Sequence, residues 1–153
     1  IKEGRKSVVD GVPVSLPALQ RSHRLQEKAS KIGFDWEKKE DVWKKVIEEI
    51  EEMHQAEEIK NSTLNIENLK TDDESLNELQ QKLEDEMGDV FFALVNYSRF
   101  LGINPENALR RTNEKFIKRF KYLEEEISKS GKTLSESNLK EMDIYWNESK
   151  KLF

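Results

Sequence analysis

Cysteine is absent from this 153-residue chain, which excludes a disulfide framework, a thiolate nucleophile and a cysteine-based zinc site. Proline and glycine are scarce, at three and six residues, leaving little of the turn punctuation that a many-stranded sheet needs. No apolar run approaches the roughly 18 residues of a membrane-spanning helix, and no signal peptide is visible, so the cytoplasm is the default location. An excess of positive charge is lacking too. The formal net charge is −5, which argues against broad, non-specific binding to nucleic acid or an anionic membrane. Neither a glycine-rich phosphate loop nor a Ser-His-Asp arrangement occurs.

What remains is helical. Hydrophobic content is only 35%, but Leu, Ile, Val and Phe recur at helical spacing, so an all-α antiparallel helical bundle is expected. Residues 1–15 read as a linker or arm, and 16–153 as one domain. Ser15 is placed to cap a first helix reaching about Ile32, with Pro17 in its first turn, Leu19, Leu25, Ala29 and Ile32 inward, and Gly33 ending it. A second helix is expected over about 38–60, a surface loop over Asn61–Ser75, and a third helix over about 76–101. Asn104-Pro105 opens a fourth that Gly131 stops, and a last helix covers about 138–151.

Two stretches organise this pattern: Glu48-Glu49-Ile50-Glu51-Glu52 and Glu86-Met87-Gly88-Asp89. Each sets two carboxylates three residues apart, so Glu49 and Glu52 share one helix face, as do Glu86 and Asp89. The apolar stripe of the second helix runs Val42, Trp43, Val46, Ile47, Ile50, Met53, and Glu49 falls about 20° outside its edge. That of the third runs Leu76, Leu79, Leu83, Met87, Val90, Leu94, Tyr97, Leu101, with Glu86 about 20° from its edge and Asp89 about 60° further round. Either pair alone is commonly a solvated face in a chain with 37% charged residues. If the stripes pack together, however, the carboxylates converge beside one core, and that crowding calls for a hard divalent cation such as Mg²⁺ or Mn²⁺.

Other candidates sit around this set. Lys115 and Arg119, four apart on the fourth helix, suit a polyphosphate, and Lys45 and Lys82 each stand one turn before an acidic residue, Glu49 and Glu86. Trp146 offers a flat face to a nucleobase, although packing is the commoner use, and Trp36 and Trp43 read as packing residues. Glu51-x-x-His54 is half of a di-iron signature without its second half, so His54 reads instead as a satisfied core histidine. Phe91, Phe92 and Phe100, on a helix with two apolar sides, make self-association plausible.

From about Gly11 to Lys150 the chain resembles the MazG-type nucleoside triphosphate pyrophosphohydrolases, specifically the C-terminal half of their two-repeat members. The resemblance is carried by Gly11-Val12-Pro13, Leu16-Pro17-Ala18-Leu19 and Gly33-Phe34-Asp35-Trp36. It continues through Glu48-Glu49-x-x-Glu52, Leu83-Glu84-Asp85-Glu86-Met87-Gly88-Asp89, and Asn113-Glu114-Lys115-Phe116 with Arg119. It implies an all-α fold, a homodimer, Mg²⁺ dependence (Mn²⁺ as a substitute), and hydrolysis of nucleoside triphosphates to monophosphate and pyrophosphate. By motif position, Glu49, Glu52, Glu86 and Asp89 would ligate metal and Glu48 would support or position water. Lys115 and Arg119 would hold phosphates, Trp146 would lie by the nucleotide, and Lys45 and Lys82 are further contacts. The loop between the motifs is longer than is usual in the family, and residues 1–15 resemble an inter-repeat linker. The competing expectations are a non-catalytic helical dimerisation or regulatory module, and a pyrophosphatase of narrower range, for dUTP or a modified nucleotide.

Overall fold

The computed structural model describes residues 6–66 and 73–153. Those residues carry five α-helices and no strand: α1 (Ala18–Ser30), α2 (Lys39–Ile66), α3 (Asp73–Phe100), α4 (Pro105–Lys129) and α5 (Leu139–Ser149). The chain divides into two compact units, Ile1–Glu106 and Asn107–Phe153. The expected arm at 1–15 and the expected loop at 61–75 fall partly outside the described residues, at 1–5 and 67–72.

In the first unit α1 and α2 both pack on α3. Trp43 near the start of α2 lies on Tyr97 near the end of α3, with ring centroids 5.2 Å apart, while Lys60 late in α2 bonds to Gln80 early in α3. Those two pairings run in opposite directions along the chain, so α2 and α3 are antiparallel. Val42 and Val46 are buried between them, at 1% and 0% exposure, each contributing about 1.5–3 kcal/mol by leaving water. The rest of the expected α2 stripe is less enclosed: Trp43, Ile47 and Ile50 stay well exposed, Met53 is half-buried, and Ala56 is the buried residue one turn further on.

On α3 the buried set is Val90, Ala93, Val95 and Ser98, rather than the single stripe through Met87, Leu94 and Leu101, which are exposed. The helix packs against two partners, so it buries two narrower faces instead of one wide one. Phe91 and Phe92 are exposed as expected, whereas Phe100 is half-buried.

The ends of the helices depart from the expected punctuation in instructive ways. Pro17, not Ser15, holds the N-cap position of α1, and no side chain caps that end. Ile32 lies past the helix and is largely exposed. After α1, Gly33 takes φ +88° while Phe34 N–H donates to Ala29 O at 3.1 Å, a left-handed closure that a residue with a Cβ adopts only under strain. The helix α2 runs six residues past its expected end. There Thr63 Oγ1 donates to Ile59 O at 2.9 Å and Lys60 reaches Gln80, so polar side chains that elsewhere favour loops are used on the helix itself. His54 is not a core residue. Its side chain is 65% exposed and lies 3.4 Å from Glu57 and 3.7 Å from Glu58, an arrangement natural to a charged outer face.

In the second unit Leu123 and Ile127 of α4 and Ser149 of α5 are buried. Phe116 stacks on Phe120 at 5.9 Å and meets Trp146 at 5.3 Å. A 3₁₀ turn at Leu134–Glu136, closed by a reciprocal Thr133–Glu136 capping box, precedes α5. Asn138 then caps α5, accepting from Glu141 N–H at 3.0 Å.

Candidate metal centre

The acidic residues on α2 and α3 face one another across the first unit. Glu49, Glu52 and Glu86 each bring a carboxylate oxygen to within 4.8 Å of the other two. The placement follows from helix geometry: Glu49 sits on the shoulder of the Val42–Val46 stripe, and Glu52 lies one turn on. Glu49 is 8% exposed, Glu86 half-buried and Glu52 exposed, so the group runs from the packed interface out to water.

Lys45 closes one side of this group. Its Nζ lies 2.7 Å from Glu48 Oε1 and 2.7 Å from Glu49 Oε1, and these two carboxylates hold the ammonium charged well above its ordinary range. Glu52 responds the opposite way: desolvation and the adjoining charge of Glu49 push its carboxyl above the usual carboxylate value. One lysine therefore faces a set of carboxylates carrying more negative charge than it can match. Oxygen-only donors with surplus negative charge fit a hard divalent cation better than a zinc- or copper-type ion, which favours nitrogen or sulfur.

The remaining candidate residues are placed as follows. Asp89 is exposed on α3 and is not in the group of three gathered oxygens. Glu48 is bonded to Lys45, and Lys82 is exposed one turn before Glu86. Lys115, Arg119 and Trp146 belong to the second unit. Lys115 is exposed there, and Trp146 is half-buried against Phe116. Arg119 is half-buried, and its Nη2 donates to the Phe153 carbonyl at 2.6 Å.

Three polar residues of the first unit escaped sequence reasoning. Gln26 is the buried residue of α1, at 7% exposure, and donates from Nε2 to Phe92 O at 2.8 Å. Asp35 and Arg99 form a two-pronged ion pair at 2.8 and 3.3 Å, and Arg99 holds the Asp35 carboxyl below its usual range. The signal available for Gln26 was its position seven residues after Leu19, a polar residue on an otherwise apolar face. Nothing in the sequence links Asp35 to Arg99 across 64 residues.

An all-helical protein with a carboxylate cluster shared by two antiparallel helices is the class these observations define. Residues 37–124 match the model of the MazG nucleotide pyrophosphohydrolase domain, and the chain belongs to that family. The match takes in every candidate residue except Trp146. The chain is 38% identical over 135 residues to the nucleoside triphosphate pyrophosphohydrolase/pyrophosphatase MazG of Thermotoga maritima, covering 88% of this chain and 45% of that protein. It is 35% identical over 150 residues to the nucleoside triphosphate pyrophosphohydrolase of Escherichia coli K12, covering 98% of this chain and 51% of that protein. A shorter likeness, 48% over 71 residues, links it to the uncharacterized protein YabN of Bacillus subtilis, covering 46% of this chain and 14% of that protein. The chain thus spans about half the length of the MazG relatives it matches. Among the described residues, no helix is long and apolar enough to cross a membrane.

Proposed function

We propose that this chain hydrolyses nucleoside triphosphates to nucleoside monophosphate and pyrophosphate with the help of Mg²⁺ or Mn²⁺. The observation that carries the reading is the meeting of Glu49, Glu52 and Glu86 from two helices, set in a family whose relatives bear the name pyrophosphohydrolase. Glu49, Glu52 and Glu86 are the residues assigned to hold the cation, with Asp89 joining from the next position round α3. A divalent ion bound there supplies positive charge to the phosphates and acidifies a water molecule.

The chain's own groups do the rest. Glu48, already anchored by Lys45, is suited to orient water, because a carboxylate accepts its hydrogen bond. Lys45 changes partner in this reading: its ammonium offsets carboxylate charge at rest and turns to a phosphate oxygen when substrate arrives. Lys82, Lys115 and Arg119 meet the remaining phosphate charge, and Trp146 lies by the nucleotide. Water adds across the bridge between the α and β phosphates, one proton is released, and pyrophosphate departs. In this proposal residues 16–153 work as one domain, in the cytoplasm and as a homodimer. The test is to incubate the protein with each of several nucleoside triphosphates and Mg²⁺ and to identify the products. Monophosphate with pyrophosphate is expected; diphosphate with orthophosphate as the only products sinks the assignment.

A further inference from the structure

The stretch Gly33-Phe34-Asp35-Trp36 joins α1 to α2, and Asp35 stands four residues before α2 begins. Its carboxylate takes both prongs of Arg99, near the end of α3, at 2.8 and 3.3 Å. Each half of the pair is also set by its own segment. Arg99 Nη1 donates to Asn96 Oδ1 at 2.6 Å, and the guanidinium lies 5.7 Å from the Phe100 ring centre. Trp36 N–H donates to Asp35 Oδ1 at 3.0 Å. The Arg99 side chain is 14% exposed and that of Asp35 30%. An ion pair taken that far out of water adds little net stability, because lost hydration offsets the attraction. What it does fix is geometry: the fork of a guanidinium meets a carboxylate in one orientation.

That orientation bears on the carboxylate cluster through the α2–α3 pair. The buried apolar residues of these helices are short, Val42, Val46 and Ala56 on α2 and Val90, Ala93 and Val95 on α3. Apolar contact has no preferred direction, so a seam of short side chains resists separation more than sliding. When no cation is bound, the gathered carboxylates add repulsion between the helices, of which Lys45 offsets part. Directional contacts sit at the two ends. Lys60 with Gln80 ties one, and Asp35 with Arg99 ties the other. Glu49 and Glu52 lie between them. A slide of α2 along α3 reaches the cluster in full, and a pivot about Lys60 delivers roughly two-fifths of the displacement at Asp35. Contacts of about 2.1 Å between Mg²⁺ and oxygen tolerate little of either.

We propose that Asp35 and Arg99 are positioning residues for the cation site. Their two-pronged latch sets the slide of α2 along α3, and so the spacing of Glu49 and Glu52 against Glu86. It acts through the helices, from about 20 Å along α3 beyond Glu86. The inference deepens the reading above and rests on it, because it takes those three carboxylates to hold a divalent ion.

Calorimetric titration of Mn²⁺ into the wild type, Asp35→Asn, Arg99→Met, Arg99→Lys and the double variant Asp35→Asn/Arg99→Met tests it. Nucleotide is left out, because Asp35 and Arg99 also line a cavity of about 550 Å³. Circular dichroism checks the fold, and if Arg99→Met does not fold, Asp35→Asn and Arg99→Lys carry the same test. Asp35→Asn and Arg99→Met should each bind Mn²⁺ about tenfold more weakly, the loss typical of disturbed outer contacts to a metal site. The double variant should be no weaker than the worse single one, and Arg99→Lys, which keeps the charge without the fork, should fall in between. Charge alone predicts otherwise: loss of the Asp35 charge would weaken cation binding, and loss of the Arg99 charge would strengthen it. Unchanged affinity in the folded variants, shifts of opposite sign, or single effects that add in the double variant overturn the latch. An equal loss in Leu123→Ala, a core truncation in the second unit, does the same. A wild type that binds no Mn²⁺ refutes the cation site itself. Binding that is lost in Glu49→Gln but kept in full by every latch variant refutes the latch alone.

Discussion

Replacing Glu49 by Gln removes a charge and keeps the shape. The carboxylate oxygens of Glu49, Glu52 and Glu86 lie within 4.8 Å of one another, so at an effective dielectric near 20 the two more enclosed, Glu49 and Glu86, repel by on the order of 3 kcal/mol when both are charged. Lys45 at 2.7 Å offsets part of this for Glu49. Without metal, Glu49→Gln therefore exchanges a lost ion pair for relieved repulsion, and its Tm should stay near that of the wild type. With metal the two diverge. A ligand that binds only the folded protein adds about 2.7 kcal/mol when present at 100 times its Kd. For a chain of this length, 1 kcal/mol moves Tm by about 2–4 °C, so saturating Mg²⁺ should raise the wild-type Tm by roughly 5–11 °C. Glu49→Gln should lose most of that rise. Scanning calorimetry with and without Mg²⁺ reads it, with Glu58→Gln as a control on the exposed face of α2. An equal Mg²⁺-linked rise in all three proteins would refute the idea that these carboxylates share a cation.

Two further perturbations test the same unit. Lys45→Met removes the ammonium that lies between Glu48 and Glu49, and should destabilise the metal-free protein by about 1–2 kcal/mol in urea melts. Added Mg²⁺ should recover that loss, making its stabilising effect larger than in the wild type; a smaller effect would count against Lys45 as the resident counter-charge. Arg99 holds the Asp35 carboxyl below its usual 3.8, so the carboxylate form is favoured by folding. The stability difference between the wild type and Asp35→Asn should be complete above about pH 5 and fade as pH falls through the lowered folded-state pKa. Its plateau should be about 1–2 kcal/mol, because the pair is part-buried and two-pronged. Guanidinium unfolding across pH 2–7 gives the profile, and a difference that grows on acidification contradicts it.

The all-helical class and the start of α4 at Pro105 follow from local chemistry: spacing and a ring-locked φ act over one turn. Glu49 and Glu86 could be placed near a packed edge because a helix wheel needs only the sequence. Asp89, expected to share a face with Glu86 and join the same site, lies outside the three gathered oxygens. Misplaced were His54, the end of α2 and the buried face of α3, each of which turns on what packs alongside rather than on the segment itself.

The order of side chains along each helix therefore determined that two acidic faces exist and which residues lie on them. Only the tertiary structure decided that α2 and α3 run antiparallel so that Glu49 and Glu52 meet Glu86, that Lys45 closes their open side, and that Gln26 from α1 reaches the backbone of α3 beside Asn96. The reason is one of range. Periodicity and capping are set by neighbours within a turn, whereas a cation site or a cavity needs atoms brought together from segments tens of residues apart, and which segments pack is a property of the whole core.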